Sequence, residues 1–355
     1  MEQQKRQYDY LDDFIKSDKS SIIHLSLQFP DQNFGNEELI QIQSHLALCT
    51  EIKSLILNLD YQIIKDDGIK LLFRDFKFTE NLNSLSLELT QNQISQQGIS
   101  IIAQYLKKCS KLTKFEIDLF ENEFGPEEFF EIIDEVSRKN TIQDLKIQLG
   151  GNELNDQGVH QISVGISKCQ NITNLVLFFN ENKISDAGAK SIATGFSSCR
   201  LLKSLKFSLL RNNIKDEGAS EIGKGLRKCS NLIDLEFYLD SNQISNQGAN
   251  NIFIGLTECI LMKNLSFSLI DNFISNDGYQ ILGQYLSCLP NLLSLGCDLN
   301  SEEQLLYSKE IINCRNIKTM VLYLQSCYSE SQYLQHKQKA LKIKRLVTLQ
   351  LKHLF

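Results

Sequence analysis

Apolar residues fall into columns 30 positions apart along the chain. Leucine or a close substitute stands at Leu25, Leu55, Leu85, Phe115, Leu145, Leu175, Leu205, Leu235, Leu265 and Leu295. A second column lies two residues on, from Leu27 and Leu57 through Leu87, Ile117, Ile147, Leu177, Phe207 and Phe237 to Phe267. A third runs Leu59, Leu89, Leu119, Leu149, Phe179, Leu209, Leu239, Leu269. Between Leu85 and Leu89 these residues alternate with others, the period of a strand with one buried face. The period then changes. Ala189, Ile192, Ala193 and Phe196 are spaced i, i+3, i+4, i+7, one apolar helix face. Ser95, Asn155, Ser185, Ser245 and Ser275 stand where a side-chain oxygen would cap that helix. Each unit therefore predicts a strand, a turn and a helix, and the repeat outranks every local feature.

Asparagine recurs at Asn92, Asn122, Asn152, Asn182, Asn212, Asn242 and Asn272, and glycine at Gly68, Gly98, Gly158, Gly188, Gly218, Gly248 and Gly278. Leu-x-x-Leu-x-Leu with a following Asn and Leu or Ile, and a helical half with small Gly-Ala positions, resembles a leucine-rich-repeat protein of the ribonuclease-inhibitor-like subclass. The resemblance runs from Ser21 to Pro290 and weakly beyond. It implies an α/β solenoid, a curved horseshoe with a parallel β-sheet on the concave face and α-helices on the convex face. It also implies that each Asn bonds the backbone of an adjacent turn. One spacing departs from the motif: Leu87 to Asn92 is five residues where three are usual. Either the strand runs two residues further or the leucine columns are displaced by one pair. The recurrent Gly, in the first helical turn, predicts close helix packing.

A strand-helix unit cannot bury its apolar face alone, so the ends of the array need caps. The expected division is residues 1–20 as an N-terminal cap, 21–294 as nine regular repeats, and 295–355 as irregular terminal repeats and a C-terminal cap. Tyr8 to Ile15 predicts a short amphipathic helix over the first strand. Leu295 to Met320 spans 25 residues and Met320 to Leu349 spans 29, so the period loosens there. The basic stretch from His336 to Arg345 reads as the helix of the last unit, with Leu346, Leu349 and Leu351 as a final strand. A binding site for an acidic protein or a membrane surface is the competing reading.

Hydrophobic residues make up 42% of the chain and prolines number 3, which excludes a disordered chain or a Pro-rich stalk. Lys and Arg total 37 against 43 acids, a net charge of −6, so nucleic acid is not an expected partner. The N-terminus leads into no apolar core and no run approaches the ~20 apolar residues of a bilayer span. The expectation is a cytoplasmic protein, with cytoskeletal or ciliary association left open. Cys49, Cys109, Cys169, Cys199, Cys229 and Cys259 share one column and no Cys-x-x-Cys pair occurs, so buried thiols are expected rather than disulfides or zinc. The triplets Asn171-Ile172-Thr173 and Asn264-Leu265-Ser266 then match a glycosylation pattern by chance.

The five histidines lie in different registers, and no phosphate-binding glycine loop is present; Gly223-Lys224-Gly225 falls inside a helical segment. No catalytic, metal or cofactor residue is therefore assigned. What remains is surface. The outward strand positions vary from unit to unit while the columns beneath them repeat. Val176 and Phe178 place apolar surface mid-array and Tyr238 follows two repeats on, although single exposed aromatics are ordinary. Glu116, Asp118 and Asp144 are neighbours on adjacent strands, and Asp234 and Glu236 lie further along. They would steer a basic partner, or simply face solvent. The expected function is a non-enzymatic scaffold or adaptor binding a protein on the concave face, as a monomer or part of a larger assembly. The resemblance extends to GTPase-activating proteins of the Ran type, for which Arg211 is the residue to test, although their acidic tail is replaced here by a basic end. It extends also to inhibitors of the ribonuclease-inhibitor type, against which low cysteine content and sparse aromatics count.

Overall fold

The computed structural model describes residues 5–74, 79–299, 308–314, 316–324, 337–338, 340–343 and 346–353. The chain divides into two compact units, Met1–Asn182 and Lys183–Phe355. Unit 1 alternates β1 (Lys5–Tyr8), α1 (Leu11–Lys16), β2 (His24–Gln28), α2 (Asn36–Leu46), β3 (Ser54–Asn58), α3 (Lys65–Leu72) and β4 (Ser84–Glu88). It continues with α4 (Gln96–Lys108), β5 (Lys114–Asp118), α5 (Phe130–Ser137), β6 (Asp144–Gln148), α6 (Asn155–Lys168) and β7 (Asn174–Phe178). The strands pair in parallel and in chain order, and from β2 onward each residue faces its counterpart 30 positions away. A slip of one residue would turn a whole leucine set outward, so the columns themselves hold the register. All three columns are buried in unit 1.

The five-residue spacing before Asn92 has a structural answer. Strand β4 ends at Glu88, yet the ladder goes on: Leu89 N–H donates to Asp118 O and Gln91 N–H to Phe120 O, each at 2.9 Å. The same rungs join Leu59 to Glu88 and Tyr61 to Thr90. The two extra residues thus add one more rung, the first of the two alternatives. Immediately after it the backbone turns left-handed, with φ of 62° at Tyr61, 52° at Gln91, 50° at Glu121 and 69° at Gly151. L-residues other than glycine resist that region by roughly 1–2 kcal/mol each. The ladder on one side and the asparagine on the other fix it.

Asn92 Nδ2 donates to Leu59 O at 2.8 Å and Thr90 O at 3.1 Å, and its Oδ1 accepts from Gln62 N and Ile64 N, both at 3.2 Å. Asn122 and Asn152 repeat the pattern, donating to Leu89 O at 2.9 Å and Leu119 O at 2.8 Å. The column therefore staples each turn to its predecessor. The glycine column answers a different need. Asp66 Oδ1 accepts from both Ser95 N and Gly98 N at 2.9 Å, and a Cβ on Gly98 would lie 2.6 Å from that oxygen. A carboxylate in one helix caps the start of the next.

Two expectations change at the helix starts and the N-terminus. Ser95 accepts from Gln97 N as a cap, but α6 begins at Asn155 itself, with φ of 49° and its Oδ1 accepting from Gln157 N at 2.8 Å. Asn155 thus makes the capping bond from the first helical position. The N-terminal segment is more than a helix: Lys5–Tyr8 pairs with β2 as an added strand, Lys5 facing His24 and Tyr8 facing Leu27. Helix α1 follows and buries Leu11 and Phe14. Polar edge strands bond through backbone alone, and their charges discourage further pairing.

Unit 2 comprises α7 (Asp186–Ser197), β8 (Ser204–Ser208), α8 (Asp216–Arg227), β9 (Asp234–Tyr238), α9 (Asn246–Leu256), β10 (Asn264–Ser268) and α10 (Asn276–Ser287). It ends with β11 (Ser294–Leu299), α11 (Lys309–Asn313), β12 (Thr319–Leu324) and β13 (Thr348–His353). Ser185, Ser245 and Ser275 cap α7, α9 and α10. Phe207, Phe237 and Phe267 stack in the core with centroids 5.6 and 5.7 Å apart. In the loosened end Leu295 faces Met320 and Met320 faces Leu349. Of the basic stretch, Lys337 is helical, and Ala340 and Ile343 are buried beside it. His336, Lys339, Lys344 and Arg345 lie outside the described residues.

The column cysteines are free and buried, and Cys288 is exposed. Burial pushes the Cys49, Cys229 and Cys259 thiols up to about 12, and Cys109 and Cys169 up to about 11. Thiolate is the reactive form. Iodoacetamide is therefore expected to label Cys288 in the folded protein and to reach these five only after denaturation. Rapid native labelling of Cys109 or Cys229, read by peptide mass spectrometry, would contradict their burial.

Candidate functional site

In unit 1 the outward residues form three rows across the strands. Glu88, Asp118, Gln148 and Phe178 stand side by side at the strand ends, and Ser86, Glu116, Lys146 and Val176 fill the middle row. Adjacent strands lie about 4.8 Å apart, so row neighbours touch. Lys114, Asp144 and Asn174 make the row at the strand starts. The structure thus brings Glu116, Asp118, Asp144, Val176 and Phe178 together on β5–β7, all half-buried.

Two depressions lie on this face. One of about 280 Å³ is lined by Lys114, Glu116, Asp144, Lys146, Asn174 and Val176. Inside it Lys114 Nζ pairs with Glu116 Oε1 at 2.9 Å. The other, about 360 Å³, lies at the strand ends among Asp60, Tyr61, Thr90, Asp118, Phe120, Gln148, Gly150, Phe178 and Asn180. A Cβ on Gly150 would lie 2.7 Å from the Phe120 ring, so the missing side chain makes room for it. Asp60 Oδ1 accepts from Thr90 N at 2.7 Å, and Asp118 Oδ1 accepts from Phe120 N at 3.0 Å. Gln148 Nε2 donates to the other oxygen of Asp118.

Burial pushes the Asp60, Glu88 and Asp118 carboxyls above the usual carboxylate range. The Asp60 charge adds to this at Glu88 and Asp118, and Lys146 opposes it at all three. Within unit 1, strands β2–β7 and the turns after them carry Asp31, Asp60, Glu88, Glu116, Asp118, Glu121, Glu123, Glu127, Glu128, Asp144, Glu153 and Glu181 against Lys114 and Lys146, while the edge strand β1 carries Lys5 and Arg6. The described helix-to-strand loops at the opposite end carry Lys19, Lys53, Arg74, Lys111, Arg138 and Lys139 against Asp18, Glu51 and Glu80, and Lys107, Lys108 and Lys168 close the helices that lead into them. Opposite charges at helix termini complement the helix dipoles. They also give unit 1 one acidic and one basic edge.

Unit 2 holds the remaining sequence candidates in a different electrostatic state. Lys206 Nζ pairs with Glu236 Oε1 at 2.7 Å and sits 5.7 Å from the centre of the Tyr238 ring, and Tyr238 Oη donates to Glu236. Asn264 Nδ2 donates to Asp234 Oδ1 at 2.5 Å. Glu236 is thus already matched by a cation on its own face. Arg211 occupies the left-handed turn position, φ 53°, and its N–H donates to Asp240 O at 2.9 Å. Asp60, Tyr61, Thr90 and Phe120 were missed by the sequence reading. Their signal is the alternation carried past the third leucine column, which only the extra rung makes meaningful.

Among the described residues no group of three or more His, Cys, Asp or Glu side chains is placed to hold a metal ion. Among them also no helix is long and apolar enough to cross a membrane. Residues 168–193 match a family model described as Leucine Rich repeat. The crystal structure of the Rad7 and Elc1 complex in yeast shares the fold at a TM-score of 0.50 and 16% identity, covering 83% of this chain and 75% of that one. The chain has the fold of a leucine-rich-repeat solenoid. An internalin C2 from Listeria monocytogenes aligns at 18% identity and a TM-score of 0.37, covering 64% of this solenoid and 83% of that chain. No curated protein matches the chain in sequence. Leucine-rich repeats serve generally as protein-interaction scaffolds.

Proposed function

We propose that the chain is a non-enzymatic scaffold that binds a protein partner on its outward strand face, through Glu116, Asp118, Asp144, Val176 and Phe178 of unit 1. The observation that carries this is the position of Phe178. It is a half-buried aromatic beside a depression of about 360 Å³, on a row where its neighbours are polar or charged. Aromatic anchors set in such a rim dominate many interfaces. Asp234, Glu236 and Tyr238 are a separate proposed binding surface within unit 2, and the 30-residue unit with its Gly-Ala helical half supports the ribonuclease-inhibitor-like subclass. Free thiols support a cytoplasmic location. No observation favours the GTPase-activating or inhibitor reading; Arg211 has its place in the turn backbone.

The test is capture of partners from native cells with Phe178→Asp beside Val164→Asp, an exposed position on α6. Loss of a specific partner with Phe178→Asp alone, both variants melting like the wild type, is the expected result. Loss with Val164→Asp alone would move the site to the helical side.

A further inference from the structure

The proposed scaffold reading leaves the chemistry of the partner open, and the strand ends of unit 1 narrow it. We infer that the cavity at the C-terminal ends of β3–β7 receives an arginine or lysine side chain from a basic segment of the protein partner. Asp60 and Asp118 supply the counter-charge, and Tyr61, Phe120 and Phe178 supply the walls. This inference rests on the strand-face reading above and deepens it.

Three observations converge. The cavity offers about 360 Å³, room for a guanidinium or ammonium head with several waters, each taking about 30 Å³. Its walls pair carboxylates with aromatic side chains, the two groups that recognise cations, by charge-assisted hydrogen bonds and by cation–π contact. Its rim is the acidic edge of unit 1, where charge complementarity favours a basic partner and steers its approach. The aromatic walls separate this cavity from an ordinary solvated row of acids.

Lys146 acts on both Asp60 and Asp118, the Asp60 charge acts on Asp118, and neighbouring Glu88 is acted on by Asp60, Asp118, Glu116 and Lys146. Lys114 is taken by Glu116, so among the described residues Lys146 alone faces the three carboxylates Asp60, Glu88 and Asp118 and does not balance them, and burial holds all three above their ordinary values. A cation entering the cavity favours their ionised forms, so its binding releases protons. Affinity therefore weakens as pH falls through the raised carboxylate range.

The experiment immobilises the full chain and exposes it to a positional-scanning library of synthetic dodecapeptides. Variants are Phe178→Asp and the double Asp60→Asn/Asp118→Asn, which keeps the acceptors for Thr90 N and Phe120 N. Circular dichroism melts establish that each remains folded. Retained peptides are expected to be enriched in Arg or Lys at one position. Their retention should fall at least tenfold in the double variant, and it should decline on acidification. Retention that depends on Phe178 but shows no basic enrichment overturns this inference and leaves the strand-face reading standing. Retention indifferent to Phe178 overturns both.

Discussion

Replacing Asn92 with alanine is expected to destabilise unit 1 by about 3–5 kcal/mol, read as a drop in the urea midpoint at unchanged slope. The amide makes four bonds to backbone groups of Leu59, Thr90, Gln62 and Ile64, and its side chain is fully buried. Each backbone group left unpaired in the interior costs about 1–3 kcal/mol, and the turn can reach water for only some of them. Asn92→Asp should be no better, because it loses both donors and buries a charge. Asn264→Ala, at an exposed strand position, should shift the midpoint by less than about 0.5 kcal/mol. Equal effects at Asn92 and Asn264 would remove the ladder from the account.

The second large effect lies in unit 2, where helices α8 and α9 meet through glycines. A Cβ on Gly223 would lie 2.2 Å from Asn251 O, and one on Gly255 would lie 2.1 Å from Gly223 O. Alanine in a helix ordinarily gains about 1 kcal/mol over glycine. The atoms in the way are backbone carbonyls, which cannot rotate aside, so the helices must separate. Gly223→Ala should cost about 2–4 kcal/mol net despite its better propensity. Since one separation relieves both clashes, Gly223→Ala with Gly255→Ala should cost less than the sum of the single changes. Additive costs in that cycle would show that the two sites do not share a contact.

Most of the architecture is legible in the sequence because one interaction repeats. A leucine that must be buried every 30 residues announces strand, register and neighbour together, and Leu25, Leu55 and Leu85 do face one another. Features that depend on pairs from different columns are not legible in this way. Asp66 and Gly98 are 32 residues apart, and Gln96 and Pro126 interrupt the acidic column, so the cross-repeat cap reads as a glycine pattern alone. Strand β1 has no apolar alternation to betray it. At the site, alternation located Asp118 and Phe178. Asp60, Tyr61 and Phe120 escaped because the leucine columns end before them while the hydrogen-bond ladder does not. The charge of Glu236 was readable, whereas its bonds to Lys206 and Tyr238 needed three dimensions.

Amine crosslinking of the chain to its captured partner, followed by peptide mass spectrometry, tests the central claim most directly. Lys114 and Lys146 stand on the proposed face, and Lys107, Lys108 and Lys168 stand at the opposite edge of unit 1. The account expects partner crosslinks to concentrate on Lys114 and Lys146. Crosslinks confined to Lys107, Lys108 and Lys168 would place the partner at the basic helix ends and contradict it.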